Sequence, residues 1–197
     1  MDAALASAEA TNVSTPLKLA ATLFVMVATA AAAQISVPLP FTPVPFTFQP
    51  MVVLLGGAVL GPALGMLSQI AYLAAGFAGL PVFAASPDLP QGMARLLGPT
   101  GGYLMAYPFA AFATGFLARR GFDRRYLTSV VAMAMGLAIV FAGGITWLTL
   151  FAPGADARSL QAALQVGFYP FVAADIMKIC LAATIMPVAW RLLNYAE

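Results

Sequence analysis

Two charged residues sit deep inside an otherwise apolar run near the end of this chain, in Ala174-Asp175-Ile176-Met177-Lys178-Ile179-Cys180. If the run is helical, their i, i+3 spacing puts the Asp175 carboxylate and the Lys178 ammonium on one face. An ionised carboxylate only accepts hydrogen bonds and an ammonium only donates them. Side by side they suit a small polar head that offers N–H donors next to a carbonyl acceptor, as a cyclic urea does. The competing reading is an ion pair that satisfies itself and fixes helix packing. A lone charge at the bilayer centre costs about 2.5–3.5 kcal/mol on insertion scales, so charges at that depth pair with one another and serve a ligand or an ion path. A buried pair is in any case weak evidence for stability. The expectation is therefore a ligand held at this turn.

The rest of the composition says what must position that turn. Of the 197 residues, 62% are hydrophobic and 8% charged, and the mean hydropathy is +0.92; soluble domains carry about 25% charged residues. Leu19 to Pro87, Leu96 to Ala118 and Tyr126 to Ala155 are free of charge over 69, 23 and 30 residues. A membrane helix needs about 20. The chain reads as an all-α, polytopic membrane protein with six transmembrane helices. Residues 1–16 form a polar tail and 17–197 a single transmembrane substrate-binding domain. Ala30 to Ala33 offers a cleavage pattern, but Asp2 and Glu9 precede it and Lys18 is the sole basic residue there, unlike a secretory leader.

In chain order, the first segment is Leu17 to Val37, where Ala28 and Ala32 are spaced to let another helix approach, either within the bundle or on a partner. Pro38 to Pro50 holds five prolines in thirteen residues, so it is extended and packed at membrane depth. Gln49 within it serves either a ligand or a loop backbone. Met51 to Leu60 is short, since ten helical residues rise only ~15 Å. Gly61-Pro62 turns the chain into Ala63 to Leu80, with Gln69 and Tyr72 as polar handles. Residues 81–98, with Phe83 and Leu89, form either a lid or an ordinary loop. Gly98-Pro99-Thr100-Gly101-Gly102-Tyr103 opens segment four, with Thr100 a candidate N-cap. Its paired glycines admit another backbone or a ligand.

Arg119, Arg120, Arg124 and Arg125 mark the cytoplasmic side. Thr128 to Leu150 is segment five, Phe151 to Leu160 with Pro153, Asp156 and Arg158 an outer loop, and Pro170 to about Leu193 segment six, anchored by Trp190 and Arg191. With six crossings, Lys18, the four loop arginines and Arg191 face inward while Arg95 and Arg158 face outward, which places both termini in the cytoplasm. Counted from Pro170, Asp175 lies ~7–8 Å below the outer start of its helix. The charged turn is reachable from outside.

Chemistry is excluded in several forms. There is no histidine, one cysteine (Cys180), no metal-ligand cluster and no phosphate-binding loop. A net charge of +2 does not point to nucleic acid. The chain is expected to bind or carry a ligand, without a cofactor, and is not an enzyme.

Five stretches then carry a resemblance. They are Pro38 to Gln49, Leu60-Gly61-Pro62-Ala63-Leu64-Gly65, Gly79-Leu80-Pro81-Val82-Phe83, Gly98-Pro99-Thr100-Gly101-Gly102-Tyr103, and Asp175-Ile176-Met177-Lys178. Together, across Leu17 to Leu193, they resemble the BioY family, the biotin-specific substrate-binding (S) components of energy-coupling factor transporters. The resemblance implies a six-helix S-component fold in a bacterial cytoplasmic membrane, with biotin bound on the extracytoplasmic side. It assigns Asp175 and Lys178 to the ureido head and gathers Gln49, Phe83, Gly101 and Tyr103 around the ligand. It also implies an amide near the third outer loop, which the chain supplies only if Gln91 takes that place. Partner docking falls at Ala28 and Ala32, toward a transmembrane coupling subunit that works with two ATPase subunits. Two other functions compete with biotin uptake by such a module: an S component for another vitamin, and a self-sufficient carrier in which the ion pair relays protons.

Overall fold

The computed structural model of the chain describes residues 14–85, 90–151 and 159–194, with side chains through Ala189. Most of the tail at 1–16, Leu89 of the lid segment, Pro153, Asp156 and Arg158 of the outer loop, and the side chains of Trp190 and Arg191 lie outside the described residues. The described chain is mostly helical, and three stretches are long and apolar enough to cross a membrane: Thr15–Gln34, Tyr126–Leu150 and Tyr169–Ala189.

Helix α1 is Thr15–Gln34, opened by Pro16 in its first turn, where a missing N–H costs nothing. Thr22, Val25, Thr29, Ala32 and Ala33 form its buried face, while Leu23, Phe24 and Val27 are exposed. The buried threonines return their hydroxyls to carbonyls four residues back, Thr22 to Lys18 at 2.8 Å and Thr29 to Val25 at 2.9 Å. Such bonds let a hydroxyl sit in an apolar interface without a dangling donor.

The proline-rich stretch is a hairpin. Strands β1 (Ser36–Val37) and β2 (Phe46–Thr47) pair antiparallel, Ser36 opposite Thr47 and Val37 opposite Phe46. Its tip is tied down by Thr42, whose hydroxyl donates to the Val166 carbonyl at 2.6 Å and accepts from the Val44 N–H at 3.1 Å. Prolines cannot complete a sheet ladder, so two-residue strands are all this segment supports.

Helices α2 (Gln49–Leu60) and α3 (Pro62–Phe77) follow, joined at Gly61. That residue has φ 78°, a conformation that favours glycine. The second segment is thus a 12-residue helix, two residues longer than the apolar run suggests because Gln49 and Pro50 begin it. After the short α4 (Met93–Leu97), α5 (Gly101–Leu117) forms the middle of the molecule and packs on α2, α3 and α6 (Tyr126–Leu150). The helices approach closely: a Cβ at Gly57 of α2 would collide with the Ala111 carbonyl of α5.

A π-helical turn, Ala118–Phe122, leads to the arginine-rich connection, where Arg120 lies 4.2 Å from the Phe116 ring centroid. Beyond α6, α7 (Leu160–Gly167) starts with a working cap, the Ala162 N–H donating to Ser159 Oγ at 3.2 Å. Helix α8 is Tyr169–Ala182, with Pro170 in its first turn as expected, and α9 is Ile185–Asn194. The last apolar segment is therefore interrupted at Ala183–Thr184. Pro187 accounts for the break: it has no N–H for the Ala183 carbonyl, and its ring crowds the same oxygen.

Candidate functional site

The ion pair forms on α8. Lys178 Nζ donates to Asp175 Oδ1 at 2.8 Å, across an i, i+3 separation, and both residues are buried. A second bond leaves the helix, from Nζ to the Thr47 carbonyl at 2.7 Å. Strand β2 thus lies over the charged turn and brings two rings with it. The Phe46 centroid is 3.6 Å from Nζ and that of Phe48 5.3 Å. A cation against ring faces, away from water, gains up to about 2 kcal/mol. Two of the three ammonium hydrogens have fixed acceptors, and Asp175 Oδ2 has no hydrogen-bond partner among the described residues. The pair therefore keeps both donating and accepting capacity.

From Thr47 a polar chain runs away from the pair. The Thr47 hydroxyl donates to Gln49 Oε1 at 3.2 Å, Gln49 Nε2 donates to the Tyr72 hydroxyl at 2.6 Å, and that hydroxyl donates to the Val82 carbonyl at 3.1 Å. Tyr72 also meets Phe83 edge to face, with centroids 5.5 Å apart and planes at 84°. Three successive bonds link the hairpin beside Lys178 to the segment that follows α3.

A cavity of about 600 Å³, counted out to its mouth, opens beside these groups. Its walls come from the hairpin (Val44, Pro45, Thr47), α2 (Gln49), the α3–α4 connection (Phe83, Ala84), α4 (Arg95), Thr100 and α5 (Tyr103, Leu104, Tyr107), α6 (Val140, Phe141) and α8 (Phe171, Asp175, Lys178). Asp175, Lys178, Gln49, Phe83 and Tyr103 are brought together there.

Gly101 is elsewhere. A Cβ at this position would run into the Leu96 carbonyl oxygen, and one at Gly102 into Trp147 and the Gly143 carbonyl. Of the two readings of the paired glycines, close approach of another backbone is the one observed. Tyr103 offers the cavity its ring, because its hydroxyl donates to the Gly167 carbonyl at 2.8 Å. Gln91 is exposed and donates to the Ala84 carbonyl at 3.4 Å, outside the cavity wall. Ala32 is buried in the α1 interface and Ala28 is half-buried.

Arg95 was assigned above only to membrane topology, yet its exposure is 1%. Its Nε donates to the Pro90 carbonyl at 2.9 Å and an Nη to the Ala84 carbonyl. Burial lowers its pKa from the ordinary value, although arginine stays charged even so. The available hint was a single arginine flanked by Met93-Ala94 and Leu96-Leu97, an unusual neighbourhood for a solvated charge. Among the described residues no group of three or more His, Cys, Asp or Glu could hold a metal ion.

A family model described as the BioY family matches residues 6–195, nearly the whole chain. The chain belongs to the BioY family. Among BioY proteins, the "Probable biotin transporter BioY" of Pyrococcus horikoshii is 43% identical over 164 residues, covering 83% of this chain and 88% of that one. The "Biotin transporter BioY" of Thermotoga maritima is 41% identical over 148 residues, covering 75% and 81%. A solved structure described as the S-component for biotin from an ECF-type ABC transporter superposes with TM-score 0.79 at 27% identity, over 92% of this chain and 94% of that one. The hairpin, Phe83, Tyr103 and the α8 ion pair, four of the stretches that carried the resemblance, thus line a single cavity.

Proposed function

We propose that this BioY chain is the biotin-binding S component of an energy-coupling factor transporter: a membrane protein that binds biotin with high affinity for uptake and does no chemistry on it. One observation carries the reading. A buried carboxylate–ammonium pair with unspent hydrogen-bonding capacity opens onto an aromatic-walled cavity, in a chain 43% identical to a protein named as a biotin transporter. Biotin's ureido ring presents N–H donors beside a carbonyl. Asp175 accepts from the former and Lys178 donates to the latter, at about 1.5–3 kcal/mol for each bond to a charged group. Phe83, Tyr103 and Phe171 enclose the apolar remainder of the ligand.

In this reading the apolar segments make six crossings of a bacterial cytoplasmic membrane with both termini inside, and the cavity opens toward the outside. Helices α2, α3 and α5 are short for a full span, and it is their packing on α1 and α6 that supports the arrangement. Transport energy comes from two ATPase subunits through a transmembrane coupling subunit, which docks on α1 at Ala28, since Ala32, the other small residue of that spacing, is buried within the chain.

Isothermal titration of the purified chain with biotin, riboflavin and thiamine tests the assignment. Tight, saturable binding of biotin alone is expected. Preference for either of the other two vitamins would move the chain to a different substrate.

A further inference from the structure

Arg119, Arg120, Arg124 and Arg125 all stand exposed in the stretch that joins α5 to α6. Among the described residues the carboxylates are Asp123 and Asp175, and both are buried. Asp175 faces Lys178 on the cavity, so Asp123 is the one described acid in the arginine stretch. Four positive charges less one negative leave that stretch at +3. Helix α3 adds to the field. It begins with Pro62 at the Gly61 turn, with no side-chain capping bond and no acidic residue in its first turn, and a helix N-terminus carries roughly half a positive charge. A Cβ at Gly61 would run into the Arg119 guanidinium, so this side chain lies against the same positive end. Charges of one sign gathered in this way attract an anion from outside the chain.

What lies beside the guanidiniums says which kind of anion. Phe112 and Phe116 are exposed on α5 and stack on one another, with centroids 6.2 Å apart and planes at 12°. Arg120 covers the Phe116 ring at 4.2 Å, and exposed Phe109 continues the strip toward the middle of the helix. A guanidinium stacked on a ring keeps the N–H groups in its plane for a phosphate. Spacings of four, four and three residues put Arg120, Phe116, Phe112 and Phe109 on one face. Positive charge followed by an apolar wall matches a phospholipid, whose phosphate sits above its acyl chains. A free phosphate would have no use for the rings.

We infer that Arg119 and Arg120, together with the Phe112–Phe116 wall, bind an anionic phospholipid of the adjoining leaflet. The two guanidiniums hold its phosphate, and an acyl chain lies along the rings. The site is remote from the ligand cavity, since Tyr107 on the cavity wall precedes Leu117 by ten residues, ~15 Å of helix. It neither needs the biotin reading nor is needed by it.

The test is thermal unfolding of the purified full chain in a nonionic detergent, with dioleoyl phosphatidylglycerol, dioleoyl phosphatidylcholine or inorganic phosphate added. A ligand that binds only the folded chain stabilises it by mass action. Phosphatidylglycerol should raise the midpoint saturably by about 4 °C or more, and the other two should raise it much less. Arg119→Gln combined with Arg120→Gln should move the phosphatidylglycerol titration to about 25-fold higher concentration, since each arginine near anionic lipid contributes about fivefold. Arg119→Lys combined with Arg120→Lys, which keeps both charges, should retain most of the response. Both variants should unfold cooperatively, like wild type, in lipid-free detergent. Equal stabilisation by the two lipids would leave an ordinary lipid contact, and an equal response to inorganic phosphate would leave a free-anion site. An unchanged titration in the glutamine variant would mean that the headgroup is held elsewhere. Each of these three results overturns the proposal.

Discussion

Lys178 is gripped from three sides, by Asp175, by the Thr47 carbonyl and by the Phe46 ring, and this decides how substitutions there should behave. Asp175→Asn keeps the shape of the acceptor and removes its charge. It should weaken biotin about 10- to 100-fold, the equivalent of one bond to a charged group at about 1.5–3 kcal/mol. Lys178→Ala strands both a carboxylate and a backbone carbonyl, and breaking one side of a buried pair costs about 3–5 kcal/mol. It should abolish measurable binding while the protein still inserts and elutes as a folded species. Titration calorimetry on the two purified variants checks this, and unchanged affinity in either would remove the pair from the site. Tyr72 gives a subtler case. Tyr72→Phe preserves the edge contact with Phe83 but leaves the Gln49 amide and the Val82 carbonyl without their shared hydroxyl. Thermal unfolding in detergent should occur at lower temperature, for a loss of about 1–3 kcal/mol, and biotin should bind several-fold more weakly. An unaltered unfolding curve would mean that the relay is not a structural link. The charged pair was legible in the sequence because no other Asp, Glu, Lys or Arg lies in its helix. The relay was not, since its partners Thr47, Gln49, Tyr72 and Val82 lie on three separate stretches and only folding brings them together.

Among the elements, the described ends of the connection from α3 to α4 meet at Arg95. Its guanidinium bonds two carbonyls, at Ala84 and Pro90, that flank the segment. A planar fork can hold two acceptors at fixed angles, whereas an ammonium cannot. Arg95→Lys keeps the charge and loses the fork, so the connection should loosen. The expected result is a faster biotin off-rate, about fivefold or more, at a nearly unchanged on-rate, because lids act on residence time. Stopped-flow displacement measures both rates, and hydrogen exchange at Val82 to Ala85 should rise in parallel. Equal off-rates would mean that the arginine holds no lid. Local signals read this element layer unevenly. Prolines announced that 38–50 is not helical and Gly61-Pro62 announced the α2–α3 turn, since each acts through its own backbone, but the pairing of Ser36–Val37 with Phe46–Thr47 into a hairpin was not read. The gap at Ala183–Thr184 depends on Pro187 acting on a carbonyl four residues earlier inside a run that hydropathy reads as continuous. The burial of Arg95 was hidden for a related reason: its sequence neighbours place it in a loop, and it is covered only once α4 packs beside the cavity.

At the scale of the whole molecule, hydropathy alone established a membrane protein, because runs of 69, 23 and 30 uncharged residues leave no soluble alternative. Which faces meet lipid and which meet helices needed the packing. Helix α1 shows this best. Ala28 and Ala32 share a spacing, but Ala32 is 6% exposed, on the buried face of α1, whereas Ala28 is half-buried beside exposed Phe24 and Val27. The two alanines therefore should not respond alike. Ala32→Leu adds three carbon atoms to a closed interface, and overpacking of that kind costs about 1–3 kcal/mol; it should lower stability and ligand binding together. Ala28→Leu places the same bulk at the margin of the helix, where a partner needing close backbone approach would meet it first. Biotin affinity of this variant should stay within about twofold of wild type, a change of less than 0.5 kcal/mol, while co-purification with the coupling subunit falls sharply. Normal assembly of Ala28→Leu with the coupling subunit would move the docking surface off this face of α1. Loss of biotin binding in the same variant would mean instead that Ala28 belongs to the bundle interior.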